Sequence, residues 1–202
     1  MRYKLISFSI TYKKLILSDM VNFVKLIQAR AFARQDGAIL GVVWIASFAF
    51  TMWASQPNHY FLGLMANILT ISTPFVVAKR LKNFRDYALE GAISFRCALF
   101  YCIQTFFNAT LLLTVVQYLW FRFLDTGSFM LQLQQSYQLA LQAYNMTEAN
   151  KNTLLEAISM MSPIAWASLF MIMDLIVGAI LSPIIAALMA RNIKKQEIIN
   201  QQ

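Results

Sequence analysis

The chain has 202 residues, 59% hydrophobic and 13% charged, with a formal net charge of +8. Soluble domains carry about 25% charged residues, so the composition excludes an ordinary water-soluble globule and bounds the chain to one or two domains. The basic residues lie beside apolar runs, with no recognition helix or zinc-finger spacing, which excludes nucleic-acid binding and reads as membrane topology.

Residues 1–36 form a basic segment at the cytoplasmic face or the interface. Met1-Arg2-Tyr3-Lys4 opens like a signal peptide, but the apolar stretch Leu5 to Ile10 is short, contains serines and precedes no small-residue cleavage site, so that reading fails. Translation starting at Met20, with residues 1–19 outside the protein, is a further reading. Across residues 18–34, Met20, Phe23, Val24, Ile27 and Ala31 fall on one helical stripe, with Asn22 and Lys25 facing away. Two readings stay open: a helix lying on an anionic leaflet, or an extension of the first span into the headgroups.

No Asp, Glu, Lys or Arg occurs in the 42 residues from 37 to 78. A straight helix of that length would reach about 63 Å, twice the hydrocarbon core of about 30 Å. Ser55-Gln56-Pro57-Asn58-His59 interrupts the run with turn formers, which predicts two spans, 37–55 and 60–79. His59 has no Cys or carboxylate cluster near it, so no metal site is expected.

The uncharged run from Cys97 to Phe121 predicts a third span over 94–121. Cys97 and Cys102 are five apart on it, point to different faces and cannot bridge each other. In the outer segment 122–162, Met130, Leu133, Tyr137, Ala140, Leu141 and Tyr144 keep helical spacing among glutamines. Asn145-Met146 breaks the pattern, and Thr147 can cap a second helix whose Leu154, Leu155, Ile158 and Met161 share a face. The segment is expected to be a helical hairpin that covers the outer mouth of the bundle or presents a surface to a partner. Pro163 suits the first turn of a fourth span over 163–190, followed by a cytoplasmic tail, 192–202. The fold class is thus an all-α membrane protein with four transmembrane helices.

Seven Lys or Arg precede the first span, five lie between the second and third, and three follow the fourth. Only Arg122 and Lys151 fall on the other side. Positive charge stays cytoplasmic, so both termini are expected inside.

Asp174 is the one carboxylate within a span, near the midplane, where an exposed charge costs at least about 2.5–3.5 kcal/mol. It is therefore expected to face the bundle interior. Its expected partners are Asn108, at comparable depth on the third span, and Gln104, one turn below on the same face. Thr110, Thr114 and Gln117 define another face, and Asn67 and Thr70 add polar groups from the second span. Two readings follow: a proton or ion relay on Asp174, or a hydrogen-bonded clamp between spans three and four. Gly178, Ala179 and Ser182-Pro183 permit close helix approach or a kink.

No nucleophile has a base at motif spacing, no glycine-rich phosphate loop occurs and no exposed carboxylate pair stands out. Neither enzymatic activity nor a cofactor is expected. The inner loop reads Phe84-Arg85-Asp86, then Glu90-Gly91-Ala92-Ile93-Ser94-Phe95-Arg96. Beyond the third span come Phe121-Arg122-Phe123-Leu124-Asp125, the glutamine-rich helix, Met146-Thr147-Glu148, Met160-Met161 and Pro163. This pattern resembles the bacterial membrane family known as domain of unknown function 4199, over roughly residues 20–195. The resemblance implies four spans, a bacterial inner-membrane location and no established chemistry. Similar members are often encoded beside a family-two glycosyltransferase acting on a polyprenyl-phosphate carrier. Within the inner-loop motif, Arg85, Asp86, Gly91, Ser94 and Arg96 are the candidate residues, for phosphate headgroups or for topology alone. The preferred reading is a non-catalytic partner or scaffold subunit for an envelope enzyme. Its partners would be membrane lipid and a glycosyltransferase-like protein or a second copy. The alternative is a small transporter or flippase using the polar seam around Asp174.

Overall fold

The computed structural model describes residues 2–54, 59–125, 127, 129, 133 and 160–191. These form four helices: α1 (Arg2–Ala54), α2 (Tyr60–Ala88), α3 (Phe95–Leu119) and α4 (Pro163–Met189). Each contains a stretch long and apolar enough to cross a bilayer, and no strand occurs among the described residues. The chain is an all-α, multi-pass membrane protein. The expected hairpin falls almost wholly on residues 130–159, outside the described residues apart from Leu133.

The helices run longer than the uncharged runs that predicted them. α2 continues nine residues past Lys79, because Lys, Arg and Asp end a membrane span without ending a helix, and Lys and Arg are good helix formers. α1 passes unbroken from residue 2 through the point where the first span was expected to begin. At 1.5 Å per residue its 53 residues reach about 80 Å, far beyond the hydrocarbon core. α3 ends in a wider π-type turn, Trp120–Leu124, closed by the Asp125 N–H donating to the Trp120 carbonyl at 2.9 Å.

The described members of the stripe read on the N-terminal segment face outward: Val24 is 51% and Ile27 55% exposed and Ala31 is exposed, whereas Ala29 and Ala33 are fully buried. In a bilayer the large apolar side chains can face lipid, and small residues let backbones approach. Ala29, Ala33, Gly37 and Gly41 recur every four residues along α1, and the lower pair of glycines abuts α3. A Cβ on Gly37 would lie 2.7 Å from Asn108 Cβ and 2.8 Å from the Thr105 carbonyl oxygen. On α4, a Cβ on Gly178 would lie 2.7 Å from Phe106 Cβ. Two glycines therefore set how closely α1 and α4 approach α3.

Cross-helix pairs fix the topology. Trp44 meets Thr73 and Ser47 meets Thr70, so α1 and α2 are antiparallel. Asp36 meets Tyr101 and Phe48 meets Phe121, so α1 and α3 run together. Phe121 stacks on Phe170, which makes α4 antiparallel to α3. α1 packs against α2 and α3, and α3 against α4, while α2 touches α4 only lightly. Among the described residues the bundle is consequently open between α2 and α4 along part of its length.

Candidate functional site

The inner-loop motif closes that opening at one end. Arg85 is buried at the end of α2, where its guanidinium donates to Asp86 Oδ1 at 2.8 Å and to the Met189 carbonyl, on the last turn of α4, at 3.2 Å. The last carbonyls of a helix lack intrahelical donors, so a guanidinium there is well placed. Gly91 takes a φ of +82° in the turn that follows, a conformation glycine adopts without strain. Ile93 and Arg191 then exchange two backbone hydrogen bonds, both 2.9 Å. Ser94 caps α3 by accepting from the Cys97 N–H at 3.4 Å. Arg96 is exposed. Four of the five motif residues thus build the clasp joining α2, α3 and α4. Arg85→Met is expected to cost about 1–2 kcal/mol by stranding the Met189 carbonyl. Thermal unfolding in detergent measures it, and a midpoint within error of the unsubstituted chain would contradict the clasp.

Beside the clasp lies a polar cluster that the sequence reading missed, having used Asp36 only to mark the end of an uncharged run. Asp36 is 7% exposed, accepts a short hydrogen bond from the Tyr101 hydroxyl and lies 3.7 Å from Arg80 Nε. Tyr101 is fully buried, its ring stacked on Phe84 at 5.1 Å and 7°.

Asp174 lies farther along, between all four helices. It does not meet Asn108 or Gln104, and this corrects the expectation. Asn108 sits against Gly37 of α1, its amide donating to the Gln104 carbonyl at 2.7 Å. The Gln104 side chain lines a separate groove of about 330 Å³ between α3 and α4. Depth alone paired Asp174 with Asn108, but azimuth around α3 decides, and α3 turns Leu113 and the polar Gln117 to the Asp174 side. Asp174 and Gln117 line a cavity of about 300 Å³ with Trp44, Ser47 and Thr51 of α1 and Thr70 and Thr73 of α2.

The polar lining is ordered by its own hydrogen bonds. Trp44 Nε1 donates to Thr73 Oγ1 at 2.9 Å. Ser47 Oγ and Thr70 Oγ1 both reach the Ala66 carbonyl, at 2.9 and 3.0 Å. Asp174 Oδ2 and Gln117 Oε1 are buried and have no hydrogen-bond partner among the described residues. Such atoms are rare in folded proteins, since leaving one unmade costs about 1–3 kcal/mol. Thr70 and Val177 line the cavity while themselves exposed, so it opens between α2 and α4, beyond the clasp.

A second, apolar cavity of about 430 Å³ adjoins the first and shares Phe48, Thr51 and Phe170 with it. Phe129, Leu133, Trp166, Leu169 and Met173 complete its wall. The aromatic members are braced by ring contacts, Phe129 on Trp166 at 5.0 Å edge-on and Phe121 on Phe170 at 6.0 Å. Phe129 and Leu133 belong to the segment that follows α3, and Asp125 Oδ1 accepts from the Phe129 N–H at 3.2 Å.

A family model described as "Protein of unknown function (DUF4199)" matches residues 35–191. The chain belongs to that family. The match is narrower than the 20–195 suggested by the motifs, starting one residue before Asp36 and ending at Arg191, the clasp's last residue. Both cavities and the Asp36–Tyr101 cluster lie within it. No curated protein and no solved structure matches the chain.

The sequence named Asp174, Gln117 and Thr70 but missed Trp44, Ser47 and Thr73. A usable signal existed. Trp44, Ser47 and Thr51 are spaced three and four apart on α1, and Ala66, Thr70 and Thr73 mirror them on α2 across the break that Pro57 predicts.

Proposed function

We propose that the chain is a non-enzymatic protein of the bacterial inner membrane, both termini cytoplasmic, that admits a small solute into the cavity around Asp174. The observation that carries this is the pair of orphaned buried oxygens, Asp174 Oδ2 and Gln117 Oε1, on residues lining a cavity that reaches the surface. A packing clamp, the other role the sequence allowed for Asp174, would give its carboxylate a partner on a neighbouring helix, and no described residue supplies one. The cavity wall offers one carboxylate, an amide, hydroxyls and an indole, a set suited to binding rather than to nucleophilic catalysis. The concentration of Lys and Arg on the segments at the clasp end supports placing that end in the cytoplasm. The cavity then opens between α2 and α4 on the outer side of the clasp. A partner role is compatible with this. A glycosyltransferase-like enzyme or a second copy would co-purify at fixed stoichiometry in mild detergent.

Thiol accessibility tests the reading. With Cys97 and Cys102 replaced by alanine, Thr70→Cys and Val177→Cys are expected to react with a charged, membrane-impermeant thiosulfonate added from the outer side. Ile172→Cys, exposed on α4 outside the cavity, serves as the lipid-facing control. Thiolate forms only where water reaches, so the cavity positions should react at least about tenfold faster. Equal rates at all three positions would remove the accessible cavity.

A further inference from the structure

Resting on that reading, we propose that the solute is a lipophilic primary amine, its ammonium held by Asp174 Oδ2 and Gln117 Oε1 and its hydrocarbon body lodged in the adjoining apolar cavity. The Trp44 N–H is committed to Thr73, and the Ser47 and Thr70 hydroxyls both reach the Ala66 carbonyl. Their oxygen lone pairs remain. The Asp174 carboxylate adds acceptors only, and among the described residues no Lys or Arg lines the cavity to neutralise it. The Thr51 hydroxyl donates to the Ser47 carbonyl, so apart from the Gln117 amide N–H groups and the Thr73 hydroxyl, which accepts from Trp44, the described wall presents acceptors.

Such a wall disfavours anions and leaves a carboxylate uncompensated by a neutral solute, whose burial is costly at this depth. An ammonium is complementary, with three donors, no acceptor and a positive charge. Gln117 is 4% exposed and lines the cavity, and its amide oxygen is buried with no partner among the described residues, so the acceptor is built into the core of the bundle.

The adjoining cavity defines the rest of the molecule. Its walls at Phe48, Trp166, Leu169, Phe170 and Met173 are apolar, and its volume of about 430 Å³ exceeds that of the polar part. A bare inorganic cation would leave that space unused. A phospholipid in its ordinary leaflet orientation would place its tails, not its head, at the depth of Asp174. A compact amine with an aryl or alkyl body fits both parts.

The test uses the full chain in mild detergent with 2-phenylethylammonium and its neutral isostere 2-phenylethanol. Trp44 and Trp166 line the two cavities, so intrinsic fluorescence reports occupancy, and thermal stabilisation gives an independent measure. The ammonium is expected to saturate at a concentration about ten- to a hundredfold below the alcohol, the range of a charge-assisted hydrogen bond. Asp174→Asn should abolish that preference, and Gln117→Leu should reduce it. The comparison of the two probes needs no variant, so it holds even if Asp174→Asn fails to fold. Equal affinity for amine and alcohol overturns the proposal. So does a sodium titration that reproduces the signal and is not displaced by the amine. Thiol labelling that succeeds while the amine shows no preference leaves the accessible cavity standing and sinks only the amine. Failure of the labelling sinks both.

Discussion

Gly37→Leu and Gly178→Leu will each destabilise the bundle by about 3 kcal/mol, the upper end of the usual cost of overpacking. At both positions the first added atom already collides. A Cβ on Gly37 would sit 2.8 Å from the Thr105 carbonyl oxygen, which is backbone and cannot rotate away, and one on Gly178 would sit 2.7 Å from Phe106 Cβ. The only relief is to move a helix. Gly63 is the internal control, since the nearest atom to its Cβ would be Ala54 Cβ at an ordinary 3.5 Å. Gly63→Leu is therefore expected to shift stability by no more than about 0.5 kcal/mol. Unfolding in mixed detergent, followed by helical circular dichroism, ranks the three. If Gly37→Leu behaves like Gly63→Leu, α1 and α3 are not in the close contact described.

The two contacts have different consequences. Moving α1 from α3 pulls Asp36 from Tyr101 while leaving the clasp intact, because no clasp residue lies on α1. Moving α4 displaces Asp174 and the last turn that Arg85 caps. Both variants should also lower thiol reactivity or amine preference, since α1 supplies Trp44, Ser47 and Thr51 to the cavity and α4 supplies Asp174, whereas only Gly178→Leu should disturb the clasp.

The four spans were legible because hydration of a charge is an all-or-none matter in hydrocarbon. An uncharged run such as 37–78 must be in lipid or in a core, and 42 residues with Pro57 in the middle admit two crossings. Helix ends were less legible, since Lys79 and Arg80 mark where lipid ends while α2 continues to Ala88. Azimuth was the least legible. In water an apolar stripe such as Val24 and Ile27 points to the core, but in lipid it can point outward. The inward face of α1 is then carried as much by Ala29, Ala33, Gly37 and Gly41, residues with little hydrophobic signal, as by Leu40 and Trp44. The same ambiguity turned Asn108 rather than Gln117 toward Asp174 in the sequence reading, because depth follows from counting residues and azimuth needs to know which neighbour lies where. Asp36 was overlooked because a charge at the edge of a span ordinarily faces water.

Tyr101→Phe will cost about 2–3 kcal/mol, and Arg80→Met less than about 1 kcal/mol, although both remove a partner of Asp36. The difference follows from burial. Tyr101 is fully buried and its hydroxyl donates to a carboxylate that is 7% exposed. A hydrogen bond to a charged group is worth about 1.5–3 kcal/mol, and its loss leaves an acceptor with fewer partners in a dry site. The Arg80 side chain is 38% exposed and its Nε lies 3.7 Å from Asp36 Oδ1, so water screens the pair and side-chain entropy offsets it. Phenylalanine keeps the ring that stacks on Phe84, so the variant reports the hydroxyl and not the packing. Asp36→Asn combined with Tyr101→Phe closes a double-mutant cycle, and a coupling of about 1–2 kcal/mol is expected between residues in direct contact. An Arg80→Met cost exceeding that of Tyr101→Phe would mean that the ion pair, and not the buried tyrosine, holds α1 at this depth against its neighbours.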